Sequence, residues 1–476
     1  MELHLVIDPA RPRGEQLLRQ LRGLIASGRL AAGTQLPPTR LLAQQLGLAR
    51  QTVAEAYERL ALEQLIEARP GRGSFVRAAS TPESAQPLQA PARLASAARL
   101  QAARALPVPL LRLVETPLAR YDFIGGSPEP RLFPHADWRR HLHAAQRQMS
   151  EGSAHAPPAG LPALREAIAE QVSYARGVRC QAADVIVTQG AQQAFDLLVR
   201  LLVGPGELAA VESPTYPPLL GLLQAQGARI ARVPVDDQGL DVAQLPAGAR
   251  LVYTTPAHQF PLGMAMSVAR RRALLAWAAR EGAVVIEDDY DSEFRFEGSP
   301  RDSLQGLDRE GHVVFVGSFS KTLAPSLRLG YLIVPSARPE LREALLHLKH
   351  LADMHGPGLQ QAALARFMAE GGYRRHLRRS QAEYGERREQ LLQGLRPLAR
   401  WLTPVRAEAG FHLAARLHHP TLDAPQLAAL ARRLDLGLYP LQAFGEAGGD
   451  GLVLGLGRID GPGLRTALAR LGELLA

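Results

Sequence analysis

The sequence predicts a multidomain protein, a small α+β unit followed by a larger α/β one, and three observations carry that expectation. Residues 15–77 hold apolar positions at helical spacing that give way to two short strands. Residues 78–121 are rich in Ala, Pro, Gln, Ser and Arg and read as a linker. From about Asp122, β-branched runs alternate with helical patterns, which indicates a mainly parallel sheet. A chain of 476 residues accommodates two or three such domains.

In the first unit Leu17, Leu18, Leu21, Leu24 and Ile25 define a helix that Ser27-Gly28 closes. The loop Gly33-Thr34-Gln35-Leu36-Pro37-Pro38 leads into a second helix near Thr39, and Gly47-Leu48 makes a tight turn. A third helix buries Val53, Ala56, Tyr57 and Leu60. Leu65–Ala68 and Ser74–Val76 then form two strands around Arg69-Pro70-Gly71-Arg72-Gly73. Two helices about a glycine turn, followed by a basic hairpin, make a winged helix-turn-helix. Its recognition helix should place Arg50, Gln51 and Thr52 at the major groove. Arg40 would reach a phosphate, and Arg72 and Gly73 sit at the wing tip. Charge agrees, since residues 1–77 carry eleven arginines against seven acids in a chain of net charge +9.

Residues 92–106 could form an alanine-rich helix within the linker. Beyond it, Val185–Thr188, Leu208–Val211, Leu251–Thr254, Ala283–Ile286 and Val313–Val316 read as buried strands, each ending in polar or glycine-containing residues. Ligands of open α/β sheets bind outside those carboxyl ends. A smaller, more helical subdomain is expected from about residue 336. One cysteine, Cys180, excludes an intramolecular disulfide framework and fits a reducing cytoplasm. No signal peptide, membrane span or metal site is expected.

Of 55 basic residues only Lys321 and Lys349 are lysines. Codon bias explains the missing ones. It does not explain Lys321, set in Gly317-Ser318-Phe319-Ser320-Lys321-Thr322, because arginine cannot form a Schiff base. Lys349 reads as an ordinary helix-surface residue. The strand ends supply the parts of a pyridoxal phosphate (PLP) site. Lys321 offers the amine, and Asp288, with Asp289 in reserve, offers a carboxylate for the pyridine nitrogen. Tyr290 can donate to the phenolic oxygen. Gly190-Ala191 at a helix N-terminus, with Ser318, Ser320 and Arg328, suits the phosphate. Tyr216 is the candidate to cover the ring.

Leu36-Pro37-Pro38-Thr39-Arg40, Gly47–Val53 and Arg69–Val76 resemble the motifs of the GntR family of bacterial regulators. Ala49 departs from them, since that family often has a capping serine there. Thr255–Gly263, Glu287–Phe294 and Gly317–Tyr331 resemble the MocR subfamily, in which such a head is fused to a fold-type I aminotransferase. The resemblance implies that Lys321 carries PLP as an internal aldimine, with Asp288, Tyr290 and Arg328 as its nitrogen, phenol and phosphate partners. It also implies a homodimer that binds a double-stranded DNA operator. Two departures stand out. Phe260-Pro261-Leu262-Gly263 lacks the asparagine that aminotransferases direct at the ring oxygen, so His258 or Gln259 takes that contact. Val453 occupies the place of their carboxylate-binding arginine, so either Arg458 grips the effector or the effector lacks a carboxylate there.

The leading expectation is therefore a cytoplasmic, PLP-dependent transcriptional regulator that senses an amino compound, or PLP itself, rather than an enzyme. A working aminotransferase with an appended DNA-binding domain is the alternative. A regulator that has lost PLP is a third reading, disfavoured by the intact Lys321, Asp288, Tyr290 and Arg328.

Overall fold

The computed structural model describes residues 5–8, 12–77, 97–106, 118–149, 156–298, 302–445 and 448–476. Much of the expected linker, at 78–96 and 107–117, lies outside them. Between those stretches a helix runs over Ala97–Ala105. The chain divides into two compact units, residues 1–101 and 102–476.

In the first unit, α1 (Arg13–Ala26), α2 (Thr39–Leu46) and α3 (Arg50–Leu62) precede β1 (Ile66–Arg69) and β2 (Gly73–Val76). Leu17, Leu21, Leu42, Val53 and Leu60 are fully buried in one core with Ile66 and Val76. Each such side chain contributes about 1.5–3 kcal/mol of transfer free energy. Gly47 ends α2 in the left-handed conformation, which turns the chain into α3. The wing holds more than the two expected strands. Leu36 N–H donates to the Ser74 carbonyl and Val76 N–H to the Thr34 carbonyl, so the loop before α2 pairs along β2. Tyr57 fastens the same loop to α3 through a 2.8 Å bond to the Pro37 carbonyl.

The second unit is built on an eight-stranded sheet. Its strands are β4 (Val185–Thr188), β5 (Leu208–Ser213), β6 (Arg229–Asp236), β7 (Gly239–Leu240), β8 (Leu251–Thr254), β9 (Val284–Asp289), β10 (Val313–Ser318) and β11 (Gly330–Ile333), in the spatial order β4-β11-β10-β9-β8-β5-β6-β7. β10, β9, β8, β5 and β6 are mutually parallel, and β11 runs against both β10 and β4. The central strands are buried on both faces, which is why they read as unbroken apolar runs. The carboxyl ends of β4, β5, β8, β9 and β10 therefore open on one edge.

A smaller subdomain packs β12 (Leu402–Pro404), β13 (His412–Leu417), β15 (Tyr439–Pro440) and β16 (Gly451–Gly455) into an antiparallel sheet. The subdomain is not confined to residues beyond 336. β3 (Tyr121–Asp122) pairs in parallel with β14 (Leu436–Gly437), and Phe123 and Leu132 join the core of Leu413, Leu427, Leu452 and Leu464. The chain thus begins this unit in the small subdomain, then runs through Ile124-Gly125-Gly126 to the mouth of the large sheet.

Lys349 departs from the expectation of a surface residue. It lies on the Pro339–Asp353 helix with no exposed surface, and its ammonium bonds to Asp353 at 2.8 Å. Asp353 also accepts from the side-chain amides of Gln189 and Gln193. Helical spacing places i and i+4 together, and the neighbouring Gln189–Gln193 turn covers the pair, which the periodicity of one helix cannot reveal.

Candidate functional site

The polar ends of the large sheet enclose a cavity of about 250 Å³. Lys321, three residues beyond β10, reaches into it, and its ammonium donates a 2.7 Å bond to the Gly126 carbonyl. Gly126 has φ +76°, and a side chain there would come within 2.6 Å of the lysine nitrogen. Burial lowers the Lys321 pKa, against the opposing pull of Asp291 and Asp288. A larger share of its amine is thus neutral and nucleophilic.

Asp288, near the end of β9, faces the lysine across the cavity. Tyr253 on β8 donates to its Oδ2 at 2.6 Å, while its Oδ1 is buried with no partner among the described residues. Burial pushes this carboxyl up to about 7, the Tyr253 bond opposing and the Asp289 charge reinforcing the shift. The alternation of a strand sends Asp289 to the opposite face, where it pairs with buried Arg176 at 2.7 Å. Asp289 is therefore excluded as the fallback.

Tyr290 also lines the cavity, and its hydroxyl lies 2.8 Å from His258 Nδ1. The same nitrogen is 3.0 Å from Asp291. His258 Nδ1 thus sits between the Tyr290 hydroxyl and the Asp291 carboxylate and holds the tyrosine oxygen at the cavity edge. His258 corrects the expected cofactor contact. It stands behind Tyr290 rather than on the cavity wall. Gln259 is diverted too, its amide donating to the Pro214 and Phe260 carbonyls. His258, Asp291 and His412 bring ligating atoms within 4.8 Å of one another; His258 Nδ1 is hydrogen-bonded to Asp291 and His412 Nε2 to the Pro261 carbonyl at 3.1 Å, while His258 Nε2 is buried without a partner among the described residues.

At the other end, Gly190 (φ +78°) caps the Ala191–Leu202 helix, and a Cβ on it would meet the Arg328 guanidinium at 3.1 Å. Arg328 donates to the Gln189 carbonyl at 2.8 Å and joins Ala191, Ser318 and Ser320 on the wall. Two serines, a helix N-terminus and a permanent cation form an anion cradle. Tyr216 lines the cavity edge-on to Phe195 and Phe260, at 6.2 and 5.9 Å between ring centres. Gly126, Tyr253 and His412 were not anticipated. Tyr253 alone carried a signal, a hydroxyl inside an otherwise apolar strand next to the one ending in acids.

In the first unit, Arg40 near the start of α2, Arg50 and Gln51 at the start of α3, and Arg72 at the wing tip are all exposed. Gln51 leans towards Glu55 at 3.3 Å, and Gly73 opens β2 beside Arg72. Thr52 is half-buried, its methyl turned towards Gly14 on α1, which leaves it less available than its neighbours.

Residues 13–76 match the gntR family of bacterial regulatory proteins, and residues 129–434 match aminotransferase class I and II. The probable rhizopine catabolism regulatory protein MocR of Rhizobium meliloti is 36% identical, over 98% of this chain and 94% of its own. The chain belongs to the MocR-type GntR regulators. A second relative of this MocR-type chain, the pyridoxine biosynthesis transcriptional regulator PdxR of Corynebacterium glutamicum, is 32% identical over 100% of the chain and 99% of its own length. Among solved structures, Pyrococcus horikoshii kynurenine aminotransferase, in complex with PMP, is 27% identical with a TM-score of 0.69, covering 77% of this chain and 93% of that one. The α-aminoadipate aminotransferase LysN of Thermus thermophilus gives 28% identity and a TM-score of 0.70, over 79% and 96%.

One wall of the cavity is supplied by the small subdomain of this MocR-type chain. Val453 on β16 lines the cavity, and Arg458 does not. Arg458 is exposed and borders shallow surface grooves instead, one of them beside Leu323 and Pro325. That corrects its expected place as an effector contact.

Proposed function

We propose that this MocR-type regulator holds PLP in the cavity and uses it to sense an amino compound, or PLP itself, changing its affinity for an operator. PLP, when bound, supplies an aldehyde that an amine can capture. Lys321 would hold it covalently, its amine kept partly neutral by burial and directed by the Gly126 carbonyl. Asp288 would accept the pyridine N–H on its open oxygen while Tyr253 fixes the other. Tyr290 would donate to the phenolic oxygen, backed by His258 and Asp291. Gly190-Ala191, Ser318, Ser320 and Arg328 would take the phosphate, and Tyr216 would cover the ring.

Residues 1–77 are the proposed reader and 122–476 the sensor, joined through 78–121. Arg40, Arg50, Gln51 and Arg72 would contact operator DNA, with Thr52 and Gly73 secondary. A homodimer would present two readers to two half-sites, and DNA as a partner puts the protein in the cytoplasm. No helix among the described residues is long and apolar enough to cross a membrane. The observation that carries this reading is the unpartnered, buried Asp288 oxygen facing Lys321 in one cavity.

Borohydride reduction of the PLP-treated protein tests it. A covalent adduct should appear at Lys321 and vanish in Lys321→Ala. An adduct that survives the substitution defeats the assignment. Arg50→Ala should weaken operator binding and leave the PLP absorbance intact. The relatives named as regulators, and Val453 in place of an arginine, favour sensing over catalysis. Sustained turnover with an amino donor and a keto acid would reinstate the aminotransferase reading.

A further inference from the structure

The cavity has two kinds of wall. The large-sheet side is polar and cationic, with Lys321, Asp288, Ser318, Ser320 and Arg328. The opposite side, from the small subdomain and the segments beside it, includes the side chains of Ile124, Phe260, His412, Tyr439, Phe444 and Val453, with the backbone of Gly125 against Val453. Both cations on the lining are committed in the functional reading above, Lys321 to the aldehyde and Arg328 to the phosphate. In a chain with 53 arginines, none of the described ones faces the remaining space. Three buried arginines of this unit are engaged elsewhere. Arg176 pairs with Asp289, Arg387 with Glu129 and Arg388 with Glu297.

The polar groups of this wall offer no positive charge either. Burial, with His258 and Lys321 adding to it, holds His412 far below its ordinary pKa, so its ring is neutral. With Nε2 on the Pro261 carbonyl, its Nδ1 is left as an acceptor. The Tyr439 hydroxyl is spent on Asp122 at 2.7 Å, which places a carboxylate behind the wall. A carboxylate entering here would lose its hydration and gain neither a cation nor a free donor from these groups. An apolar or aromatic body would instead pack on Phe444, Phe260 and Val453.

We propose that the effector is a primary amine without a carboxylate, bearing an apolar or aromatic body. The inference rests on the PLP reading of the same cavity. It treats Val453 as the residue that sets effector class by omitting a charge.

Matched pairs test it. The full-length PLP-loaded protein is titrated with phenethylamine against phenylalanine, tyramine against tyrosine, and alaninol against alanine, following the visible absorbance. The amine of each pair should act at a concentration at least tenfold lower than its amino acid. Val453→Arg should reverse the order. If that variant does not fold, the wild-type pairs decide alone. Amino acids that act as well as or better than their amines overturn the proposal. So does an adduct at Lys321 that no compound displaces, or an operator affinity that responds to PLP and to no amine. If no borohydride-reducible adduct forms at Lys321 at all, it is the underlying PLP reading that fails.

Discussion

Asp288 is a carboxyl whose ionisation waits for a partner. With one oxygen held by Tyr253 and the other open, burial raises it from 3.8 to about 7. A folded-state pKa above the unfolded one gives stability that is complete at low pH and lost as pH rises towards 7. At about 1.4 kcal/mol per unit this amounts to roughly 4 kcal/mol of strain in the cofactor-free protein above pH 7. Asp288→Asn keeps an acceptor for Tyr253 without the charge. Its apo form should therefore be more stable than apo wild type by a few kcal/mol at pH 8, the gap narrowing towards pH 5, while its PLP affinity falls. Urea melts of both apo proteins across that range check the sign, and a gap that widened in acid would refute it. The second lysine permits a contrasting test. Lys349→Met leaves Asp353 without its cation in a largely enclosed place, and breaking such a pair costs about 3 kcal/mol. Asp353 is held below its ordinary pKa, chiefly by hydrogen bonds from Lys349 and the two glutamines against the cost of burial. Its contribution in the wild type is present above pH 4 and lost below it, so the gap between Lys349→Met and wild type should be full at neutral pH and shrink in acid. Of the two rare lysines, the sequence revealed a reason for Lys321 and missed the enclosed ion pair of Lys349.

At the scale of elements, what was legible depended on whether a segment's own pattern carried its environment. β4, β8 and β10 are buried on both faces and were read from apolar runs, as was α3 from its period. β6 alternates irregularly between exposed and buried positions, and β3 is two residues long, so neither announced itself. The acids at the end of β9 were visible, but choosing Asp288 over Asp289 needed the strand's orientation. His258 was misplaced because its role depends on Asp291, 33 residues away. The departure at Ala49 was legible and has a measurable consequence. Ala49 caps α3 with an extended backbone and no side-chain hydrogen bond. Ala49→Ser should supply one to an amide of the first turn, stabilising the helix by about 1 kcal/mol. Amide exchange at the start of α3 in the full chain should slow about fivefold, the factor that 1 kcal/mol represents at 25 °C. Unchanged exchange would mean that contacts in the loop Gly47–Ala49 already limit opening there.

For the whole molecule, the test that separates sensor from enzyme is whether the cavity and the DNA-reading unit are linked. If an effector changes operator affinity by some factor, the operator must change effector affinity by the same factor, because both describe one coupling free energy. Couplings of this kind typically amount to 5–150-fold, well within reach of titration. Operator binding measured by fluorescence anisotropy with and without a saturating amine gives the first factor. Amine titration by absorbance with and without operator gives the second. Equality is expected for a sensor, in which the amine is bound and released unchanged. It is not expected of an enzyme, because turnover consumes the amine and takes the titration away from equilibrium. A regulator and an aminotransferase built on the same Lys321, Asp288 and Arg328 therefore differ in a ratio that needs no known reaction product. Equal factors identify Lys321 as the switch of a sensor, and unequal ones expose catalysis behind a DNA-binding head.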